Sequence, residues 1–122
     1  MPRPYDIRER TFVFACEVVR FTLKLAERSD LRRIAFQLMD SATSTAANVE
    51  EAKAAYSRRE FAMKNCIALK EAREARLWLR ILKACSLAHT AVVDPLYEEA
   101  GEIVGILTQT VKSSRAARKE KV

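Results

Sequence analysis

Glycine is almost missing from this chain, with two in 122 residues, and proline is nearly as rare, with three. Average usage is about 7% and 5%, so little remains of the punctuation from which short strands and hairpins are built. A β-rich fold is excluded, and long helices follow. The abundant residues, alanine, leucine, glutamate, lysine and arginine, lose little rotamer freedom in a helix and agree with that reading. The three cysteines, Cys16, Cys66 and Cys85, are odd in number, far apart and without a C-x-x-C pair. That argues against a disulfide framework and against a zinc site, and the cysteines read as buried thiols in a reducing compartment. No stretch approaches the ~20 apolar residues of a membrane span. Near the start, Arg8, Glu9 and Arg10 precede a short run from Phe12 to Cys16 that Glu17 ends, which is no apolar leader. The expected location is the cytoplasm, with no membrane partner.

What is present is helical periodicity. Ile7, Thr11, Phe14, Val18, Phe21 and Leu25 recur at spacings of four and three, winding one apolar stripe down a helix from about Asp6 to Arg28. Phe12, Val19 and Ala26 widen it. A second helix is expected from about Leu31 to Ala55, capped by Ser29 or Asp30, with Leu31, Ile34, Leu38, Ala42, Thr45, Val49 and Ala52 inward. Its centre, Ser41 to Ala47, holds only Ser, Ala and Thr, which reads as close helix packing before it reads as a ligand cleft. Ser57-Arg58-Arg59-Glu60 forms a capping box, the serine hydroxyl accepting from the N3 amide and the glutamate reaching back to the cap amide. The third helix starts there and runs to about Cys85. Phe61, Ala68, Ala72, Ala75, Leu79 and Leu82 lie on one side, and Ile67, Trp78 and Ile81 on an adjoining one. Two apolar sides leave both burial within the bundle and burial between subunits open. Asp94-Pro95 reads as the cap and first residue of the last helix, which continues past Val111 with Leu96, Ala100, Ile103 and Leu107 inward. Gly101 and Gly105 lie on a different side, marking a close helix contact or simple tolerance and not a membrane dimer motif.

Short connections make consecutive helices antiparallel neighbours. The expected fold is all-α, an up-down-up-down, left-handed four-helix bundle. It occupies residues 1–111, with a basic C-terminal extension over 112–122. A chain of this length buries roughly two-thirds of its unfolded surface, enough for a core without metals or disulfides.

The segment Ser44-Thr45-Ala46-Ala47-Asn48-Val49-Glu50-Glu51 resembles the S-I-P-A-N-I-A-E-G signature of the bacterial four-helix-bundle family first noticed as reading frames in intervening sequences of 23S ribosomal RNA genes. Ser57-Arg58-Arg59-Glu60-Phe61 is similar to that family's S-x-x-E-F. Ile67-Ala68-Leu69-Lys70-Glu71-Ala72-Arg73-Glu74, with Trp78-Leu79-Arg80 beyond it, resembles the I-A-L-K-E-A-R-E…W-L-R variant. The resemblance covers roughly Tyr5 to Val111. Thr45 and Ala46 stand in place of Ile-Pro, and Ala52 in place of the glycine that would end or loosen the second helix. The resemblance implies a four-helix subunit and a homopentameric ring. A protein related in fold, the accessory variability protein of diversity-generating retroelements, is a basic pentamer that binds nucleic acid and a reverse transcriptase.

Net charge is +6. Most of the excess sits in Lys112, Arg115, Arg118, Lys119 and Lys121, set against Glu120, a tail suited to nucleic acid or other anionic surfaces or simply to solubility. Arg73, Arg76, Arg80 and Lys83 recur on one side of the third helix, and Arg20, Lys24 and Arg28 do so on the first. These cations are candidates for nucleic-acid binding. The competing reading pairs them with Glu17, Glu27, Glu71 and Glu74. Asn48, Glu51, Glu71 and Glu74 are polar residues close to the apolar stripes and are expected to form a structural polar core, bonding across helices or pairing with Arg76 or Arg80. A carboxylate-metal site built from them would want Glu-x-x-His motifs, yet the one histidine, His89, falls in a loop. No nucleophile–base arrangement and no glycine-rich phosphate loop is present. The expectation is a non-enzymatic scaffold without catalytic residues, metal or cofactor, binding RNA or DNA nearly sequence-blind. The rivals are a protein–protein adaptor and, further off, a carboxylate-metal enzyme.

Overall fold

The computed structural model describes residues 6–120, with side chains described as far as residue 116. These residues form a four-helix bundle: α1 (Ile7–Leu25), α2 (Arg32–Lys53), α3 (Arg58–Ala84) and α4 (Thr90–Glu120), with a 3₁₀ turn, Ser29–Leu31, leading into α2. No strand occurs among the described residues. The most extensive packing joins α2 to α3. The α3/α4 and α1/α2 seams come next, and α1 touches α4 more sparsely.

The helix starts follow their capping chemistry. Asp6 Oδ1 accepts from the Arg8 amide at 2.9 Å and starts α1. Ser57 accepts from the Glu60 amide at 3.1 Å, while the Glu60 carboxylate takes the amide of Tyr56, one residue earlier than the standard box would place it. Two expected starts differ. Neither Ser29 nor Asp30 caps α2 with its side chain. Asp30 pairs with Arg28 at 3.1 Å, and Arg32 turns back so that its Nε donates to the Ala26 carbonyl, closing the end of α1. The last helix begins at Thr90, not at Asp94-Pro95, so Pro95 lies inside α4. The amides of Val92 and Val93 both donate to the His89 carbonyl, which supplies the first turn. Asp94, freed from capping, sits 3.2 Å from Lys83 Nζ.

The end of α3 shows what scarce glycine costs. Leu87 N–H donates to Leu82 O and Ser86 N–H to Lys83 O, the two bonds of a Schellman cap, and Ser86 takes the left-handed position at φ 54°. Glycine usually fills that place. Leu87 packs on the core, as the C″ residue of this motif does.

Phe14, Leu38, Leu79, Leu82, Ile103 and Leu107 are the largest fully buried apolar side chains, each contributing about 1.5–3 kcal/mol by leaving water. Ala68, Ala72 and Ala75 are buried on α3 opposite the small-residue centre of α2, where Ser41, Ala42 and Thr45 are buried. The small residues are therefore a packing device. Their hydroxyls are satisfied within their own helix: Thr45 Oγ1 donates to Ser41 O at 2.7 Å and Ser41 Oγ to Leu38 O at 3.1 Å. Thr11 and Thr22 do the same on α1. The expected α1 stripe is inward, but Phe12 is exposed and Ala15 and Thr22 widen the buried face in its place. Cys16 and Cys66 are half-buried and Cys85 is exposed, so the cysteines are not the buried thiols expected.

Candidate nucleic-acid interface

The cations of α1 and α3 lead to different surroundings. Arg20, Lys24 and Arg28 form one wall of a groove of about 910 Å³ between α1 and the start of α4, floored by Phe21, Leu87, Pro95 and Leu96. The groove exists because α1 and α4 are the most weakly packed neighbours in the ring of helices. His89 and Glu17 also line it. Arg28 pairs with Asp30 across two exposed side chains, an interaction worth well under about 1 kcal/mol and easily exchanged for a phosphate.

On α3 the four cations divide. The charged ends of Arg76 and Lys83 lie over the Tyr97 ring of α4, at 5.3 and 5.4 Å from its centroid, and Lys83 is also paired with Asp94, so these two cations are engaged within the bundle. A Cβ at Gly101 would stand 3.6 Å from Arg76 Nε, an ordinary van der Waals contact, and at Gly105 it would meet open space, so neither glycine marks a close approach. Arg73 and Arg80 are exposed. Among the described residues no ion pair joins Lys24, Arg73 or Arg80 to Glu27, Glu71 or Glu74. Lys112 and Arg115 are exposed on α4, which continues as a helix through the basic segment; the side chains of Arg118 and Lys119 lie outside the described residues.

The polar residues expected at the core are not gathered there. Asn48 and Glu71 are half-buried, whereas Glu51 and Glu74 are exposed. Asn48 Nδ2 donates to Ser44 O at 2.8 Å within its own helix. Glu51 joins α2 to α3 through Lys64 Nζ at 2.8 Å, a partner not foreseen, and that hydrogen bond raises the Lys64 pKa. Glu71 has its pKa raised by burial first and by the neighbouring Glu74 carboxylate second. Among the described residues no three ligand-type side chains converge.

Among the described residues the charged side chain that is buried is Glu99, on α4. It is 2% exposed, and Arg10 of α1 grips it bidentately, Nε to Oε2 and Nη2 to Oε1, both at 2.8 Å. Arg10 Nη2 also reaches Glu102. Hydrogen bonding to Glu99 raises the arginine pKa further above its ordinary value. The sequence carried a signal for this clasp: Glu99 falls three residues after Leu96 and four before Ile103, on the inward stripe of α4.

Fold and site together describe a small helical bundle with a cation-lined groove, a basic helix face and no helix among the described residues that is long and apolar enough to cross a membrane. The chain belongs to the 23S rRNA-intervening sequence protein family, whose model matches residues 3–109. It is similar to the 1.70 Å crystal structure of a protein with unknown function from the S23 ribosomal protein family of Bacteroides thetaiotaomicron VPI-5482. The TM-score is 0.82 at 29% identity, covering 88% of this chain and 99% of that one. No curated protein matches this chain.

Proposed function

We propose that the chain is a non-enzymatic, cytoplasmic scaffold, assembled as a homopentameric ring of up-down-up-down, left-handed bundles, that binds RNA or DNA with little sequence preference through its basic surface. One observation carries the binding: Lys24, Arg73 and Arg80 are exposed, and the pairing with Glu27, Glu71 and Glu74 that would neutralise them is not formed among the described residues. Exposed cations free to meet phosphates gain affinity by releasing counterions. The ring rests on the family resemblance, and repetition of the patch around it would add avidity to weak contacts. The up-down order is supported by ion pairs that bring Arg8 of α1 to Glu50 of α2, and Glu51 of α2 to Lys64 of α3. By the same relationship in fold, a reverse transcriptase or another protein is a further partner.

The test is filter binding of mixed-sequence RNA and DNA by the full chain between 50 and 200 mM salt. Affinity should fall at least tenfold over that range and drop when the residues after Lys112 are removed. Binding that is absent, or insensitive to salt, overturns the proposal. A second reading, a protein–protein adaptor, is favoured by the exposed apolar side chains Phe12, Leu23, Phe36, Met63 and Leu77. One stoichiometric protein partner, retained after nuclease treatment, would establish it.

A further inference from the structure

Two helices carry a second apolar row that the bundle leaves outside. On α1 it is Phe12, Cys16, Val19 and Leu23. On α3 it is Met63, Ile67, Leu77 and Ile81, with Lys70 and Glu74 in the two middle places. Both rows advance by alternating steps of four and three, the spacing of a seam between helices packed along their length. Phe12 and Leu23 are each 57% exposed, Met63 53% and Leu77 49%, while Cys16, Val19, Ile67 and Ile81 are half-covered. Apolar side chains scattered singly over a surface need no partner, whereas rows at this spacing suit contact with another helix.

The rows also match in height. Arg8 meets Glu50 and Lys64 meets Glu51, so the starts of α1 and α3 both lie at the far end of α2. The other ends return together, with Arg32 of α2 bonded to Ala26 at the end of α1, and Trp78 of α3 beside Ile34 and Gln37 of α2. At a common rise of about 1.5 Å per residue, the α1 row from Phe12 to Leu23 stands within about a turn or two of the α3 stretch from Lys70 to Ile81. Rotation about an axis parallel to the helices preserves height, so α1 of one copy would meet α3 of the next in parallel. Charges agree with this register. Lys70 and Glu74, the two charged members of the α3 row, come near Glu9 and Arg20, which flank the α1 row of the neighbouring copy.

We infer that the partner of these rows is a second copy of this chain, the α1 row of one subunit packing along the α3 row of the next. Because the two rows are different surfaces of one subunit, the contact is heterologous and propagates from copy to copy until it closes. The inference rests on the ring reading for the existence of an assembly and adds the surfaces that build it. Arg20 stands on the border between row and groove and serves the joint, leaving Lys24 and Arg28 to the groove.

The experiment uses the full chain and light scattering with native mass measurement at about 20 µM. Leu23→Glu spoils only the α1 row and Leu77→Glu only the α3 row, both at exposed positions, with helicity followed by circular dichroism. Each variant alone should drop to a monomer. Mixed in equal amounts they should recover a dimer, because the intact α3 row of the first still fits the intact α1 row of the second. Lys70→Glu should weaken assembly and Glu9→Lys should restore it, a pair that leaves the core untouched should either leucine variant misfold. A monomeric parent chain would overturn both this inference and the ring. An oligomeric parent whose variants keep the parental mass would overturn these surfaces alone, as would monomeric variants whose mixture forms no dimer.

Discussion

Replacing Arg10 by methionine would deprive the Glu99 carboxylate, 2% exposed, of the guanidinium that holds both its oxygens. Breaking one side of a buried charge pair costs about 3 kcal/mol or more, because the remaining charge stays desolvated. Arg10→Met should lower stability by about that amount in urea unfolding, while Glu102→Ala, which removes a 64% exposed carboxylate from the same arginine, should cost below about 0.5 kcal/mol. Glu71 offers the opposite sign. Its pKa is raised, by burial first, so the folded state holds the proton more tightly than the unfolded state does. Its contribution is most favourable below the ordinary carboxylate pKa and is lost as pH rises through the folded value. Glu71→Gln should therefore raise the melting temperature at pH 7 and leave it nearly unchanged near pH 3.

At the scale of elements, the left-handed Ser86 is the clearest target. A residue with a Cβ pays about 1 kcal/mol or more in that conformation, and Ser86→Gly keeps both Schellman bonds while removing the strain. We expect about 1 kcal/mol of added stability, read as a higher urea midpoint at constant slope. Most of the bundle was legible in the sequence, because inward stripes at spacings of three and four leave few alternatives. Asp94-Pro95 misled because a proline one turn into a helix looks like a proline at its start, and the His89 carbonyl that begins α4 carries no side-chain signal. The site was less legible. Spacing placed the cations on common faces, but whether Arg80 is free or Lys83 lies on an aromatic ring depends on what α4 brings opposite. Glu51 found Lys64 and Glu99 found Arg10 across residues far apart in the chain, a distance over which local periodicity says nothing.

For the whole molecule, charge placement decides how binding responds to salt. Each cation that engages a phosphate contributes roughly 0.7–0.9 to the slope of log affinity against log salt. Arg73→Ala combined with Arg80→Ala should lower that slope by one to two while leaving the unfolding midpoint within about 0.5 kcal/mol, since both side chains are exposed. The groove adds a mechanical consequence. Arg10 clamps α1 to α4 near one end, while at the other the two helices part around the groove of about 910 Å³. On its α4 side α1 is thus pinned at Arg10 and unsupported over the groove, while α2 holds its opposite side. Its amides around Arg20 to Leu25 should exchange with deuterium sooner than those around Thr11 to Ala15, and whatever fills the groove should slow that exchange.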